Sequence, residues 1–111
     1  MIMDRQFRHN RIRYKIKGTA ERPRLSVYRS LIGLWVQLID DQQKKTLLAG
    51  SHKQLKKYSN KIDQAKQLGK FIAQAAQGKN IKQIVFDRGG YKYHGRIKAL
   101  AEGLRDGGLN F

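Results

Sequence analysis

The stretch "RLSVYRSLIGLWVQLIDDQQKKTLLAGS", residues 24–51, predicts three consecutive strands. In its first part Leu25 and Val27 alternate with polar or amphipathic side chains, which is the two-residue period of a strand. The segment 34–41 is rich in β-type residues and ends in two aspartates, a turn signal. The segment 45–51 has the composition of a returning strand. Because short links join the three segments, the stretch predicts an antiparallel meander.

A helix is predicted between residues 60 and 78. One apolar stripe recurs at helical spacing and is formed by Ile62, Ala65, Leu68, Ile72 and Ala75. Ser59 or Asn60 can cap the helix, and Gly78 stands near its end. Gly69 lies inside the helix, where a glycine costs about 1 kcal/mol relative to alanine. Close packing of the helix on the sheet is the expected reason for it.

The rest of the chain completes an α/β fold. Residues 81–86 predict a short buried strand, and because it follows a helix it is expected to run parallel to a meander strand. A second helix is predicted over residues 95–106, and Leu109 and Phe111 are expected to add a last strand contact. The fold class is therefore a mixed sheet, with a three-stranded antiparallel meander plus a parallel strand. Two helices pack on one face, and a basic N-terminal arm precedes the sheet.

Charge is the strongest compositional signal. The chain has 24 Lys and Arg against 8 Asp and Glu, a net charge of +16, which indicates a polyanionic partner such as nucleic acid or an acidic membrane. No apolar stretch approaches the roughly 20 residues of a membrane span. Residues 1–22 are interpreted as a basic arm that orders on a polyanion, with a solvated tail as the alternative, and residues 23–111 as a single domain. Pro23, the only proline, marks the boundary.

The turn "DRGGYKYHGR", residues 87–96, is the candidate functional site. Asp87 follows a strand, where α/β folds often place ligands, and His94 has the chemistry of a base. Catalysis would need partners that are absent, because no Ser or Cys nucleophile and no second carboxylate stands within ten residues of Asp87. The chain has no cysteine, and its three histidines lack metal-ligand spacing. No metal, cofactor or small-molecule substrate is expected.

Glycines and basic residues in the same turn favour binding to a polymer that carries phosphates. Gly89 and Gly90 permit a positive φ, and the turn opens a helix whose free N–H groups attract phosphate. The glycine fingerprints of nucleotide-binding loops are absent. We therefore interpret the turn as an RNA platform, in which basic side chains meet phosphates and flat rings meet bases or sugars. The residues concerned are Arg88, Tyr91, Lys92, Tyr93, His94 and Arg96.

Three questions stay open from the residues alone. One of Tyr91 and Tyr93 is expected to face RNA and the other the core. Asp87 is expected to orient Arg88 or to accept a bond from the backbone of the turn. A second basic cluster, Lys53, Lys56 and Lys57, is either a further RNA contact or a solvated loop, while Trp35 is expected in the core or on the second face of the sheet.

Two motifs resemble a known family. The segments "GTAERPRLSVYRS" and "VFDRGGYKYHGRIKALAEGLRDGGLNF" are similar to the bacterial and organellar large-subunit ribosomal protein that binds 5S rRNA, number eighteen in the large-subunit series. The resemblance runs from about Arg8 to Phe111. One departure is the hairpin tip after "RS", which is usually polar and basic in the family but is Leu31-Ile32-Gly33-Leu34 here.

The resemblance implies a structural role without catalysis. It implies binding of 5S rRNA, attachment of that RNA to the large-subunit rRNA in the central protuberance, and contact with neighbouring large-subunit ribosomal proteins. A cytoplasmic ribosome is expected, with an organellar one as the alternative. The residues it implies for RNA contact are Arg8, Arg11, Arg13, Lys15, Lys17, Arg24, Arg29, Arg88, Tyr91, Tyr93, His94 and Arg96. An RNA-acting enzyme on a similar scaffold and a peripheral membrane protein are the competing hypotheses.

Overall fold

A computed structural model describes residues 17–111 and confirms the predicted fold class. Its elements, in chain order, are β1 (Arg24–Arg29), β2 (Leu34–Asp40), β3 (Lys45–Ser51), a short 3-10 helix (His52–Gln54), α1 (Lys61–Gly78), β4 (Val85–Asp87) and α2 (Arg96–Asp106). The four strands form one sheet in the order β3-β2-β1-β4. β1, β2 and β3 are antiparallel neighbours, and β4 runs parallel to β1.

The sheet turns one face towards the helices. Leu25 pairs with Leu38 and Val27 with Val36, and all four side chains are buried. Their neighbours in sequence point to the opposite face, where Trp35 is half-buried and its ring lies between Tyr28 and the edge of His52. Of the two positions expected for Trp35, the core and the second face, the structure shows the second face.

β4 is shorter than the predicted strand over residues 81–86. Only Val85–Asp87 pairs with β1, and the N–H of Val85 donates to the carbonyl of Pro23 just before β1. Gln83 instead forms a parallel bridge with Asn110. The predicted last contact near the C-terminus therefore exists, and it is made by the residue between Leu109 and Phe111.

α1 begins as predicted at Asn60, whose side chain accepts the N–H of Asp63 at 2.8 Å. Its buried face is rotated from the predicted stripe, however, because Ile62 is 48% exposed and Ala75 is half-buried. The reason is that α1 packs on α2 as well as on the sheet. Its buried residues are Gln64, Ala65, Leu68, Gly69, Ile72, Ala73 and Ala76.

The contact between α1 and α2 is built on two glycines. A Cβ at Gly69 would lie 2.4 Å from the carbonyl oxygen of Leu100, and one at Gly103 would lie 2.1 Å from that of Lys66. The backbones therefore meet where neither helix has a side chain. The expectation that Gly69 serves helix–sheet packing is wrong, since its close neighbour is α2.

Candidate nucleic-acid interface

Asp87 at the end of β4 belongs to a buried network of charges. Its Oδ2 accepts from Arg24 Nη1 at 2.9 Å, and its Oδ1 accepts the N–H of Gly89 at 2.9 Å. Arg24 also donates from Nε and Nη2 to the two oxygens of Asp41, at 3.0 and 3.1 Å. The predicted bond from the backbone of the turn to Asp87 is confirmed. The carboxylate holds the first residues of the turn in place.

This network is the place where acidic side chains converge, and a guanidinium stands between them. Burial works to lower the pKa of Arg24, but the hydrogen bonds and charges of Asp41 and Asp87 outweigh it and raise the pKa above its ordinary value. Within residues 17–111 no group of three His, Cys, Asp or Glu side chains could hold a metal ion. The carboxylates of Asp41 and Asp87 pair with Arg24 and stabilise the fold.

Arg24 does not lie where the sequence analysis placed it. It is 4% exposed, and both ends of its guanidinium are bonded to carboxylates. A buried arginine that is paired in this way has no access to a phosphate on the surface. The physical reason is that β1 carries Arg24 on the side of the sheet where Asp41 and Asp87 also point.

The backbone of the turn after β4 is shaped by glycines. Gly89 and Gly90 have φ values of 67° and 82°, in the left-handed region where side chains are disfavoured. The N–H of Tyr91 then bonds to the carbonyl of Arg88 at 3.1 Å, and that of His94 to the carbonyl of Lys92 at 2.8 Å. Residues 88–96, which we call the basic turn, thereby fold back compactly between β4 and α2. They contain no acidic residue.

The two tyrosines of the basic turn point to different environments. Tyr91 is only 9% exposed, and its hydroxyl accepts the N–H of Arg29 at 3.2 Å, so the ring is largely buried and its hydroxyl is bonded within the fold. Tyr93 is 39% exposed and packs edge-on against Phe86. The open question from the sequence is resolved: Tyr91 faces the core and Tyr93 faces solvent.

A cleft of 630 Å³ opens beside the basic turn. We call it the arginine cleft, because Arg29 at the end of β1 and Arg96 at the start of α2 both line it. The other lining residues are Ile62, Gly90, Tyr91, Lys92, His94 and Gly95. None of them is acidic. The cleft brings together residues from β1, α1, the basic turn and α2.

Arg96 is an unusual member of the cleft. Its Nε and Nη2 are buried and have no hydrogen-bond partner among residues 17–111. Burial lowers the pKa of Arg96, and the nearby charge of Arg29 lowers it further. The guanidinium is thus held beside a like charge with unfilled N–H groups.

The remaining predicted site residues divide into two sets. Arg29, Arg88 and His94 are exposed, as is Lys17. Arg8, Arg11, Arg13 and Lys15 lie outside the described residues. The side chains of Lys53, Lys56 and Lys57 are exposed, and their role stays a prediction.

Sequence reasoning missed residues that the fold brings to this surface. Arg105 of α2 lies 4.3 Å from the ring centre of Phe111 and donates to the hydroxyl of Tyr93 at 3.4 Å. The sequence offered one signal for Arg105, because it follows Leu104 of the apolar helix face. Consecutive helical residues point in different directions, so Arg105 is expected at the surface. Ile62 was assigned to the core, and its contact with the cleft follows from the rotated face of α1.

An exposed apolar tip stands near the cleft. Leu31 is 85% exposed at the turn between β1 and β2, where the hydroxyl oxygen of Ser30 accepts the N–H groups of Ile32 and Gly33. Lys61 donates to the carbonyl of Leu31, which ties the tip to the start of α1. This is where the chain departs from the polar tip that the resemblance implies.

Within residues 17–111 no helix has both the length and the hydropathy to cross a membrane. The competing hypothesis of a peripheral membrane protein is not supported by α1 either. The exposed apolar side chains of α1, Ile62 and Phe71, are nine residues apart and therefore on opposite sides of the helix, and its buried face is occupied by α2 and the sheet.

Comparison with known proteins agrees with this structure. The family model described as ribosomal L18 of archaea, bacteria, mitochondria and chloroplast matches residues 2–111. The "Large ribosomal subunit protein uL18" of Lactobacillus delbrueckii subsp. bulgaricus is 54% identical over 106 residues, which cover 94% of this chain and 89% of that protein.

Two further relatives carry the same name. That of Acidobacterium capsulatum is 54% identical over 108 residues, covering 96% of this chain and 92% of the relative. That of Clostridium botulinum strain Loch Maree is 55% identical over 109 residues, with the same two coverages of 96% and 92%. These relatives are named as ribosomal proteins and not as enzymes. The chain belongs to the ribosomal L18 family of large-subunit ribosomal proteins.

Proposed function

We propose that this chain binds 5S rRNA and helps to attach it to the large-subunit rRNA in the central protuberance. Its partners in this role are 5S rRNA, the large-subunit rRNA and neighbouring large-subunit ribosomal proteins. Membership of the family supports a structural role in the large subunit. A net charge of +16 supports binding to RNA, because lysines and arginines that neutralise phosphates release counterions.

The single observation that carries the proposal is the surface of the basic turn. Arg88, Lys92 and His94 are exposed on a backbone that glycines and Asp87 hold in place. Tyr93 adds an exposed ring. A surface with cations and a flat ring but no carboxylate suits phosphates together with unpaired bases.

The proposed RNA-facing set differs from the one drawn from the sequence. Arg24 and Tyr91 leave it, because both are buried and bonded within the fold. Lys92 is added to the residues that the resemblance implies, because it already belongs to the RNA platform drawn from the turn and its side chain is exposed. The set is Arg8, Arg11, Arg13, Lys15, Lys17, Arg29, Arg88, Lys92, Tyr93, His94 and Arg96.

An RNA-acting enzyme is disfavoured by the positions of the carboxylates. The hypothesis needs two or three acids around one metal or a nucleophile beside a base. Asp41 and Asp87 converge on Arg24, and Asp40 accepts backbone N–H groups of the following turn. Each of these acids is engaged in holding the fold.

The proposal is tested by gel-shift binding to 5S rRNA and to a tRNA of similar length. We expect tighter binding to 5S rRNA, a several-fold loss for Arg88→Ala and a larger loss when residues 1–17 are deleted, because phosphate contacts supply most of the affinity. Equal affinity for the two RNAs would show a general polycation and overturn the proposal.

Lys79→Ala is the matched control for Arg88→Ala. Lys79 is exposed, and its replacement by alanine removes the same single positive charge. It lies at the C-terminal cap of α1. The arginine cleft touches Ile62 at the other end of that helix, roughly 25 Å away at about 1.5 Å per residue. We expect the control to keep most of its affinity.

A further inference from the structure

We propose that Arg29 and Arg96 together hold one phosphate group of the bound RNA at the N-terminal end of α2. This inference rests on the proposed function, because the phosphate belongs to the RNA backbone. It goes further in assigning two arginines from separate elements to a single phosphate. Three features of the fold support it, namely the placement of Arg29, the unfilled N–H groups of Arg96 and the positive end of α2.

Arg29 is held in position by Tyr91. Its guanidinium carbon lies 5.0 Å from the centre of the Tyr91 ring, and the hydroxyl of the same ring bonds to the backbone N–H and carbonyl of Arg29, at 3.2 and 3.4 Å. A guanidinium stacked on a ring loses little freedom when it binds an anion. The buried Tyr91 therefore acts on this site as a support beneath it.

Arg96 supplies the unsatisfied donors. Two of its three guanidinium nitrogens are buried without an acceptor, which is costly for a charged group. Among the ion pairs formed within residues 17–111, none includes Arg29 or Arg96. A phosphate lodged between the two guanidinium groups would supply the missing acceptors and offset the repulsion between the two positive charges.

The end of α2 adds a third attraction for an anion. Gly95 caps the helix without a side-chain hydrogen bond, and no acidic residue occupies the first turn. The N-terminus of this 11-residue helix therefore presents its positive end without a carboxylate to neutralise it. Arg96 is the first residue of the same helix, so its charge and the helix end act on the same space.

The shape of the surface favours a shared phosphate over two separate ones. A second cleft of 440 Å³ is lined by Tyr28, Ser30 and Leu31. The residues that it shares with the arginine cleft are Arg29, Tyr91 and Arg96. Arg29 and Arg96 thus both stand where the two clefts meet, and the guanidinium of Arg29 lies over the ring of Tyr91.

A double-mutant cycle on 5S rRNA binding tests the inference with Arg29→Ala, Arg96→Ala and the double variant. We expect each single change to weaken binding about tenfold, as for the loss of a charged hydrogen bond. Because both arginines bind the same phosphate, the affinity of the double variant should be close to that of the single variant that binds more weakly. Its salt slope should fall by about 0.7 to 0.9, the value of one phosphate.

The matched control is the cycle of Arg29 with Arg88. Arg88 is exposed in the basic turn but does not line the arginine cleft. We expect the two losses to add. Arg96→Lys keeps the charge but lacks the planar fork, so it should recover the salt slope and only part of the affinity. Circular dichroism melts establish that each variant is folded before binding is measured.

The outcomes separate this inference from the proposed function. If the unaltered protein fails to prefer 5S rRNA to tRNA, the proposed function fails. If it does prefer 5S rRNA but the losses of Arg29→Ala and Arg96→Ala add, with a salt slope reduced by two phosphates, only the shared site is overturned. Single variants with unchanged affinity would overturn it as well.

Discussion

At the scale of single residues, basic side chains in one strand serve opposite purposes. Arg24 begins β1 and is enclosed by two carboxylates, whereas Arg29 ends the same strand and is exposed. The partners of Arg24 lie 17 and 63 positions away, so its burial depends on contacts that only the folded chain creates.

Replacing Arg24 should destabilise the fold strongly. In Arg24→Met the buried carboxylate of Asp87 loses its countercharge, and removal of one partner from a buried pair costs about 3–5 kcal/mol. Urea denaturation measures the free energy of unfolding. Arg22→Ala is the control, since Arg22 is exposed two residues earlier and should change stability little. A small loss in Arg24→Met, comparable to that of the control, would contradict the structural role assigned to the network.

Hydroxyl deletion should distinguish the two tyrosines of the basic turn. Tyr91→Phe removes the bonds to the backbone of Arg29 and should lower the free energy of unfolding by about 1 kcal/mol. Tyr93→Phe removes only an exposed contact with Arg105 and should be close to neutral. Thermal and urea unfolding of the two variants provide the comparison. Equal losses would show that the assignment of core and surface is incorrect.

The sequence could not make that distinction. Tyr91 and Tyr93 are two residues apart with the same chemistry, and the pattern placed one at the surface without saying which. The deciding contact is the backbone of Arg29, 62 positions earlier in the chain. The candidate turn itself was recognisable, because its glycines, cations and rings are contiguous.

At the scale of elements, the helices are joined where side chains are absent. Gly69→Ala and Gly103→Ala each place a Cβ within 2.4 Å of a backbone oxygen of the other helix. Such overpacking costs about 1–3 kcal/mol, which exceeds the gain in helix propensity. Both variants should therefore lower the free energy of unfolding in urea.

Gly78→Ala supplies the control for this pair. It ends α1, and a Cβ there meets nothing within 4 Å. Its better helix propensity should leave stability unchanged or raise it by up to about 1 kcal/mol. If all three alanine variants behaved alike, the close contact of the helices could not explain the first two.

The start of α1 should respond to acid. The N–H of Ser59 donates to Asp63, and this bond lowers the pKa of the carboxyl below its ordinary value of 3.8. Because the folded pKa lies below the unfolded one, the stabilising contribution is present above the unfolded pKa and is lost as pH falls through the folded pKa.

Asp63→Asn should therefore flatten the acid side of the stability curve, measured by urea unfolding across pH. An NMR titration of the unaltered protein should give Asp63 a pKa below 3.8. A titration at or above that value would exclude the proposed stabilisation by Ser59.

Sequence patterns located these elements well and their faces less well. The limits of β3 agree with the prediction, and Asn60 is one of the two caps expected. The buried face of α1 was misplaced at Ile62, because a single stripe assumes one packing partner. α1 has two, and the glycine contact with α2 turns Ile62 towards the arginine cleft.

At the scale of the whole molecule, charge should dominate affinity. If about six phosphates are neutralised, the logarithm of the 5S rRNA association constant should fall with that of salt concentration at a slope of about −4 to −5. The net charge of +16 makes such a slope possible without any change in the fold. Filter binding over a series of salt concentrations measures this slope. A slope near zero would contradict the prediction that charge dominates the affinity.

The parallel pairing of β4 with β1 also sets the order in which this protein can be completed during synthesis. β1 leaves the translating ribosome with one hydrogen-bonding edge vacant, and its partner begins only at Val85. At about 5–20 residues per second the nascent chain spends several seconds with this edge of β1 unpaired. Chains cut short before β4 keep that edge permanently, so truncated products should aggregate even though the complete meander is present.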